Sequence, residues 1–153
     1  VVVGSSETAD HNSRAFAWRA GRGMTDLGTL GGSSSRAAAV NDRGDVVGSA
    51  ATADGVGHAV LWRRGRAIDL GTLGGLVSWA TAVNERGQVV GVSETAVGER
   101  HAFLWQDGHM VDLGALVGGG ESTVTDINER GQIVGTVGAG ADQRAVLWTV
   151  RSR

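Results

Sequence analysis

The side chains of this 153-residue chain that could do chemistry are His11, His58, His101 and His109, sixteen Asp and Glu residues, and five Trp residues. A histidine serves as a general base when a nucleophile and an orienting carboxylate stand beside it, and as a metal ligand when further ligands follow at a fixed spacing. No local Ser–His–Asp arrangement and no His-Glu-x-x-His motif occurs. The absence of Cys removes disulfides, thiolate nucleophiles and Cys-ligated zinc or iron–sulfur centres. Asp26, Asp69 and Asp112 each precede Leu-Gly; they could hold a cation, but a carboxylate at a strand end more commonly accepts the backbone N–H groups of the following turn. No Gly-x-x-x-x-Gly-Lys-Ser/Thr loop is available to cradle a phosphate. The local motifs therefore assign no catalytic residue, no metal and no cofactor. A site could form only by convergence of separated segments.

Those segments repeat. Trp18, Trp62, Trp105 and Trp148 lie 44, 43 and 43 residues apart. Asp-Leu-Gly recurs from Asp26, Asp69 and Asp112, an Asn-acid-Arg-Gly turn from Asn41, Asn84 and Asn128, and a Val-Val-Gly or Ile-Val-Gly step ends at Gly4, Gly48, Gly91 and Gly135. The chain is a single repeat domain, 1–153, of three and a half units, approximately 1–32, 33–75, 76–118 and 119–153.

One unit reads as four short strands: 78–83, 88–92, 101–105 and 110–113. The first two flank a hairpin turn, and a longer polar loop separates the second from the third. A Gly-rich crossing such as 71–75 leads to the next unit. Segment 33–40 could suit a helix for its alanines, but its counterparts carry Trp79, Thr81, Thr123, Val124 and Ile127, which favour strand. Twenty-six Gly residues argue further against an all-helical fold. Four-stranded units repeating every ~43 residues predict an all-β chain, a β-propeller or a propeller segment. Small residues at Ala37, Ala38, Ala39, Ala80 and Ala82 place the first strand innermost. The strand count leaves the first unit without its inner strand and the last without its outer one. Because open edges are normally paired or covered, the alternatives are a four-bladed monomer, a homo-oligomer completing the ring, and a part of a longer chain. Val1 in place of Met suits removal of a leader or of a larger N-terminal part.

A formal charge of −2 argues against a nucleic-acid partner, and no apolar run approaches the ~20 residues of a membrane span. No signal peptide is visible in this chain.

The unit resembles the HAF repeat, a bacterial repeat family whose hallmark is His-Ala-Phe-Leu-Trp. That motif is intact at 101–105 and varied at 58–62, 14–18 and 144–148. Asp-Leu-Gly-Thr-Leu-Gly-Gly follows at 26–32 and 69–75, while the third copy departs from it at 112–118. The resemblance covers essentially the whole chain and implies an extracellular or periplasmic setting. It implies no particular activity. The Trp-Asp dipeptide of WD40 blades is absent, since Arg19, Arg63, Gln106 and Thr149 follow the four repeated Trp residues.

Residues that recur in every unit are expected to serve folding, which leaves Arg43, Arg86 and Arg130 as solvated turn charges and the four repeated Trp residues as packing between units. Function is expected where the copies differ, on the face carrying the long loops and the crossings. Candidate ligand contacts there are Glu7 and His11, Asp54, and Glu94 and Glu99 in the loops. At the start of the inner strands the candidates are Arg36, Trp79 and Thr123, with Asp126 where other copies have Ala39 and Ala82. Trp79 leads because it is the one Trp outside the repeated set. The reading favoured is a non-enzymatic binding module that presents variable loops to a saccharide or protein ligand. The alternatives are an extracellular hydrolase or lyase with a central-channel site using Asp126 and loop carboxylates such as Glu7 or Glu94, and a structural adhesion repeat.

Overall fold

Each Asn-acid-Arg-Gly stretch closes a hairpin. The Asn41 side-chain carbonyl accepts the Asp45 N–H at 2.9 Å, and Asn84 and Asn128 do the same for Gln88 and Gln132 at 3.0 Å. The glycine of each turn has φ of 81°, 77° or 74°, a conformation that excludes most other residues. In the computed structural model, which describes residues 1–150, these hairpins belong to the second, third and fourth of four antiparallel sheets in chain order. The first is β1 (Val2–Glu7), β2 (Ser13–Arg19) and β3 (Gly23–Asp26). The second is β4 (Gly31–Val40), β5 (Val46–Thr52), β6 (Gly57–Arg63) and β7 (Arg66–Gly71). The third is β8 (Gly74–Val83), β9 (Val89–Thr95), β10 (Arg100–Gln106) and β11 (His109–Asp112). The fourth is β12 (Ser122–Ile127), β13 (Gln132–Val137) and β14 (Arg144–Thr149). No α-helix occurs among the described residues. Residues 151–153 of the fourth unit lie outside them.

The strands and their order within each sheet follow the repeat. The crossings differ from expectation: Gly31 and Gly74 already belong to β4 and β8, pairing with Thr52 and Thr95 before the register shifts. Thr29 and Thr72 brace these crossings, their hydroxyls donating to Gly32 and Gly75 carbonyls at 2.8 Å. The third crossing has Ala115 in place of Thr, and a 3₁₀ turn over Ala115–Val117 replaces the brace.

Alternation on each strand sends apolar side chains to both neighbouring sheets. Val3 and Ala15 of the first sheet meet Val46, Val60 and Trp62 of the second. Val47 and Leu61 meet Ala80, Val89 and Phe103. Val90, Val92 and Leu104 meet Val124, Ile133 and Trp148. The Val-Val pair of the repeat thus supplies one residue to each of two cores.

The glycine that follows has a steric origin. A Cβ at Gly48, Gly91 or Gly135 would collide with the Arg36, Trp79 or Thr123 carbonyl of the inner strand. Beside it every inner strand carries a register irregularity, between Ala37 and Ala39, Ala80 and Ala82, and Val124 and Asp126.

Two sets of hydrogen bonds tie sheet to sheet. Buried Ser35, Ser78 and Ser122 accept the Ala15, Ala59 and Ala102 N–H groups of the preceding sheet at 3.0, 2.8 and 2.9 Å. At the turns, the Asn41 amide donates to the Asn84 carbonyl at 3.0 Å, and Asn84 to that of Asn128 at 3.1 Å. In parallel, the Asp42 and Glu85 N–H groups donate to Glu85 and Glu129 carboxylates at 2.6 and 2.9 Å.

The row has two ends. Val134 and Leu147 on the outer side of the fourth sheet are 46% and 58% exposed, and Val2 and Trp18 on the outer side of the first are 55% and 43% exposed.

Candidate functional site

The long loops lie at the end of the sheets where the crossings enter, and the inner strands start there. Between the second and third sheets this end holds a depression of about 440 Å³ lined by Arg36, Gly48, Ser49 and Gly57 from one sheet and Val77–Ala80 from the next. A second depression of about 240 Å³ adjoins it and shares Arg36, Ser49 and Gly57, with Ser13, Ser34 and Ser35 around them. Arg36 and Trp79, singled out from the sequence, therefore line one cavity. Ser13, Ser34 and Ser49 were not singled out, because an isolated serine in a strand carries no signal until the fold gathers several.

Trp79 is half-buried. It packs against the core between the third and fourth sheets, with the Arg100 guanidinium 5.7 Å from its ring centroid, a cation–π distance. Thr123, its counterpart in the fourth sheet, shares a 2.8 Å hydroxyl contact with Thr136. Asp126 is exposed, and its carboxylate accepts the Ile127 N–H at 2.8 Å. The loop acids divide. Glu7 pairs with His11 at 2.6 Å in the first loop, and Asp54 is exposed in the second. Glu94 accepts the Leu76 N–H at 2.9 Å, and Glu99 lies 3.3 Å from His101 Nε2.

The repeated His and Asp form a lock. His101 Nδ1 lies 2.9 Å from both Asp112 oxygens, and His58 Nδ1 lies 3.0 Å from both oxygens of Asp69. In the first sheet Arg14 takes the place of His and reaches Asp26 at 3.2 Å. Asp26, Asp69 and Asp112 also accept backbone N–H groups of Gly28, Gly71 and Ala115 at 2.8, 2.8 and 2.9 Å. Ser122, His101 and Asp112 superficially suggest a hydrolytic triad. Such a triad needs His Nε2 on the serine hydroxyl, whereas His101 Nε2 faces Glu99 and Ser122 accepts the Ala102 N–H. Among the described residues, no three His, Asp or Glu side chains gather as a metal site would require.

At the opposite end, the Asn turns and the short turns between the outer two strands enclose a larger cavity, about 640 Å³, between the first and second sheets. Arg19, Arg43, Arg63, Arg64 and Arg86 line it. Arg43 and Arg86, expected as solvated turn charges, are drawn together here. Asp45 sits among them with a nearly buried side chain. It takes a two-point contact from Arg63 at 2.9 and 3.0 Å, a contact from Arg43 at 3.2 Å and one from the Asn41 amide at 3.2 Å. Burial pushes its pKa up, but the Arg63 and Asn41 hydrogen bonds and the Arg63 and Arg43 charges outweigh that and hold it below the usual carboxylate value.

No family model and no curated protein matches the chain.

Proposed function

We propose that the chain is a non-enzymatic binding module whose ligand lies along the paired depressions at Arg36, Ser49 and Gly57. The observation that carries this is the sharing of those three residues by both depressions, which makes one continuous groove. Its lining favours a saccharide over a protein segment: Ser13, Ser34 and Ser49 offer hydroxyls, and Arg36 offers a guanidinium fork. Nothing in the groove is arranged as a nucleophile with a base. The acids named for a hydrolase or lyase do not line it, and Glu94 is held by the Leu76 N–H.

The test is a thermal-shift screen with defined oligosaccharides. A ligand at a hundred times its dissociation constant raises stability by about 2.7 kcal/mol. The shift is expected to vanish in Arg36→Ala and to persist in Trp79→Ala, whose ring packs on the other side of β8, with both variants folded by circular dichroism. A shift that survives Arg36→Ala removes the groove reading.

The strand order and the spacing of the repeats support a β-propeller segment, and the resemblance to the HAF repeat suggests an extracellular or periplasmic setting. A specific observation favours assembly as a second property. Val134 and Leu147 occupy the positions of Val47 and Leu61, and of Val90 and Leu104, which face the following sheet and are buried. Val2 and Trp18 occupy those of Val46 and Trp62, which face the preceding sheet. The two exposed faces are thus the two halves of an interface the molecule already makes three times. The occupant that fits the fourth sheet is the first sheet of a second copy. Asp126 suits that partner, because a first sheet without an inner strand leaves the carboxylate in solvent.

A further inference from the structure

Five arginines around one cavity, in a chain whose net charge is −2, need a reason. Pairing with Asp45 accounts for Arg63 and Arg43 but not for Arg19 and Arg64. The third sheet places Gln88 and Gln106 where the second has Asp45 and Arg63, and the two amides bond at 2.6 Å in place of the ion pair. Arg43 and Arg86 belong to the repeated turn, whereas Arg19, Arg63 and Arg64 give way to Gln106, Thr149 and Asp107 in later copies, so the full cluster forms only here, at the opposite end of the sheets from the groove.

The geometry also gathers guanidinium groups where the backbone makes room. A Cβ at Gly87 would lie 2.5 Å from an Arg63 nitrogen and 3.1 Å from one of Arg43, and a Cβ at Gly44 would lie 2.9 Å from an Arg19 nitrogen. The turn glycines are open floors under the arginine heads. Of the two carboxylates in the lining, Asp45 is already shared by Arg63 and Arg43, and Asp26 is held by Arg14. Even with Arg86 left out of the count, Arg19, Arg43, Arg63 and Arg64 against Asp45 and Asp26 leave an excess that a dianion would offset. Guanidinium forks match the oxygens of tetrahedral oxyanions, and a concave wall of one sign raises the local concentration of the opposite one.

We propose that this cavity binds a tetrahedral oxyanion, the phosphate or sulfate group of a larger ligand. The site is independent of the saccharide groove, so either can fail alone. The test is a titration of the purified chain with sodium phosphate and, separately, sodium sulfate, each against sodium chloride and sodium acetate at matched ionic strength, read by melting temperature and by calorimetry. Saturable stabilisation by phosphate, by sulfate or by both supports the site, and the more effective ion identifies the ester. The double variant Arg19→Gln, Arg64→Asn is expected to bind at least tenfold more weakly. Both arginines lie outside the Asp45 contacts, and Asn tolerates the left-handed backbone of Arg64, φ 51°. Arg130→Gln, a turn arginine away from the cavity, is expected to leave the response unchanged. Equal responses to all four salts, a response to acetate alone, or full retention of binding in the double variant would overturn the proposal.

Discussion

Asp45 carries the clearest single-residue consequence. Its carboxyl is held below the usual value by Arg63, Asn41 and Arg43 against the opposing effect of burial. A depressed carboxylate contributes stability that is fully present above its unfolded pKa, near 3.8, and is lost as pH falls through the lower folded value. The melting temperature of the chain should therefore drop below about pH 4. Asp45→Asn should flatten that limb while lowering stability at neutral pH by about 1–3 kcal/mol, since Arg63 and Arg43 lose their shared counter-charge. An unchanged acid limb in the variant would remove Asp45 from this role. At this scale the sequence was legible where a residue serves its own neighbourhood. Asp26, Asp69 and Asp112 read as turn acceptors, and the structure gives them backbone N–H partners. The arginine cavity was illegible because each of its members alone is an ordinary turn or strand-end charge. Only convergence from β2, β6 and three hairpin turns makes them a site.

The elements show why the repeat is so strict. Hairpin turn, inner-strand irregularity and Val-Val-Gly step are mutually dependent: the glycine admits the inner-strand carbonyl, and the asparagine holds both its own turn and the next one. The last of these roles is an interaction across some 43 residues, which a reading confined to one unit treats as a local turn. It separates two otherwise equivalent positions. Asn84 bonds within its turn and onward to Asn128, whereas Asn128 bonds only within its own turn among the described contacts. Asn84→Ala should cost about 2–3 kcal/mol and Asn128→Ala about 1 kcal/mol, the difference reporting the part-buried inter-sheet bond. Equal losses in chemical denaturation would mean that the turns are coupled by backbone packing alone. Strand edges were less legible than strand existence. Glycine pairs at 31–32 and 74–75 resemble pure connection, but the opposite strand is long enough to pair with their first members.

For the whole molecule, periodicity revealed four antiparallel sheets and their order, because identical units must solve the same packing problem in the same way. It could not reveal what lies beyond the end units, which have no internal counterpart to be compared with. There the physical argument runs through the exposed faces. A contact between the fourth sheet of one copy and the first sheet of another joins different surfaces, so it propagates head to tail into a closed ring or an open filament. Light scattering should show a mass that rises with concentration for the unmodified chain, while Leu147→Glu and Trp18→Glu should each block self-association by placing a charge on one of the two faces. Each variant keeps the face that the other lacks. Mixing them should restore a single interface and yield a capped heterodimer of Leu147→Glu and Trp18→Glu chains, an outcome that a symmetric face-to-face dimer does not permit. A strictly monomeric chain at high concentration, or variants that fail to complement, would show that the end sheets meet something other than each other.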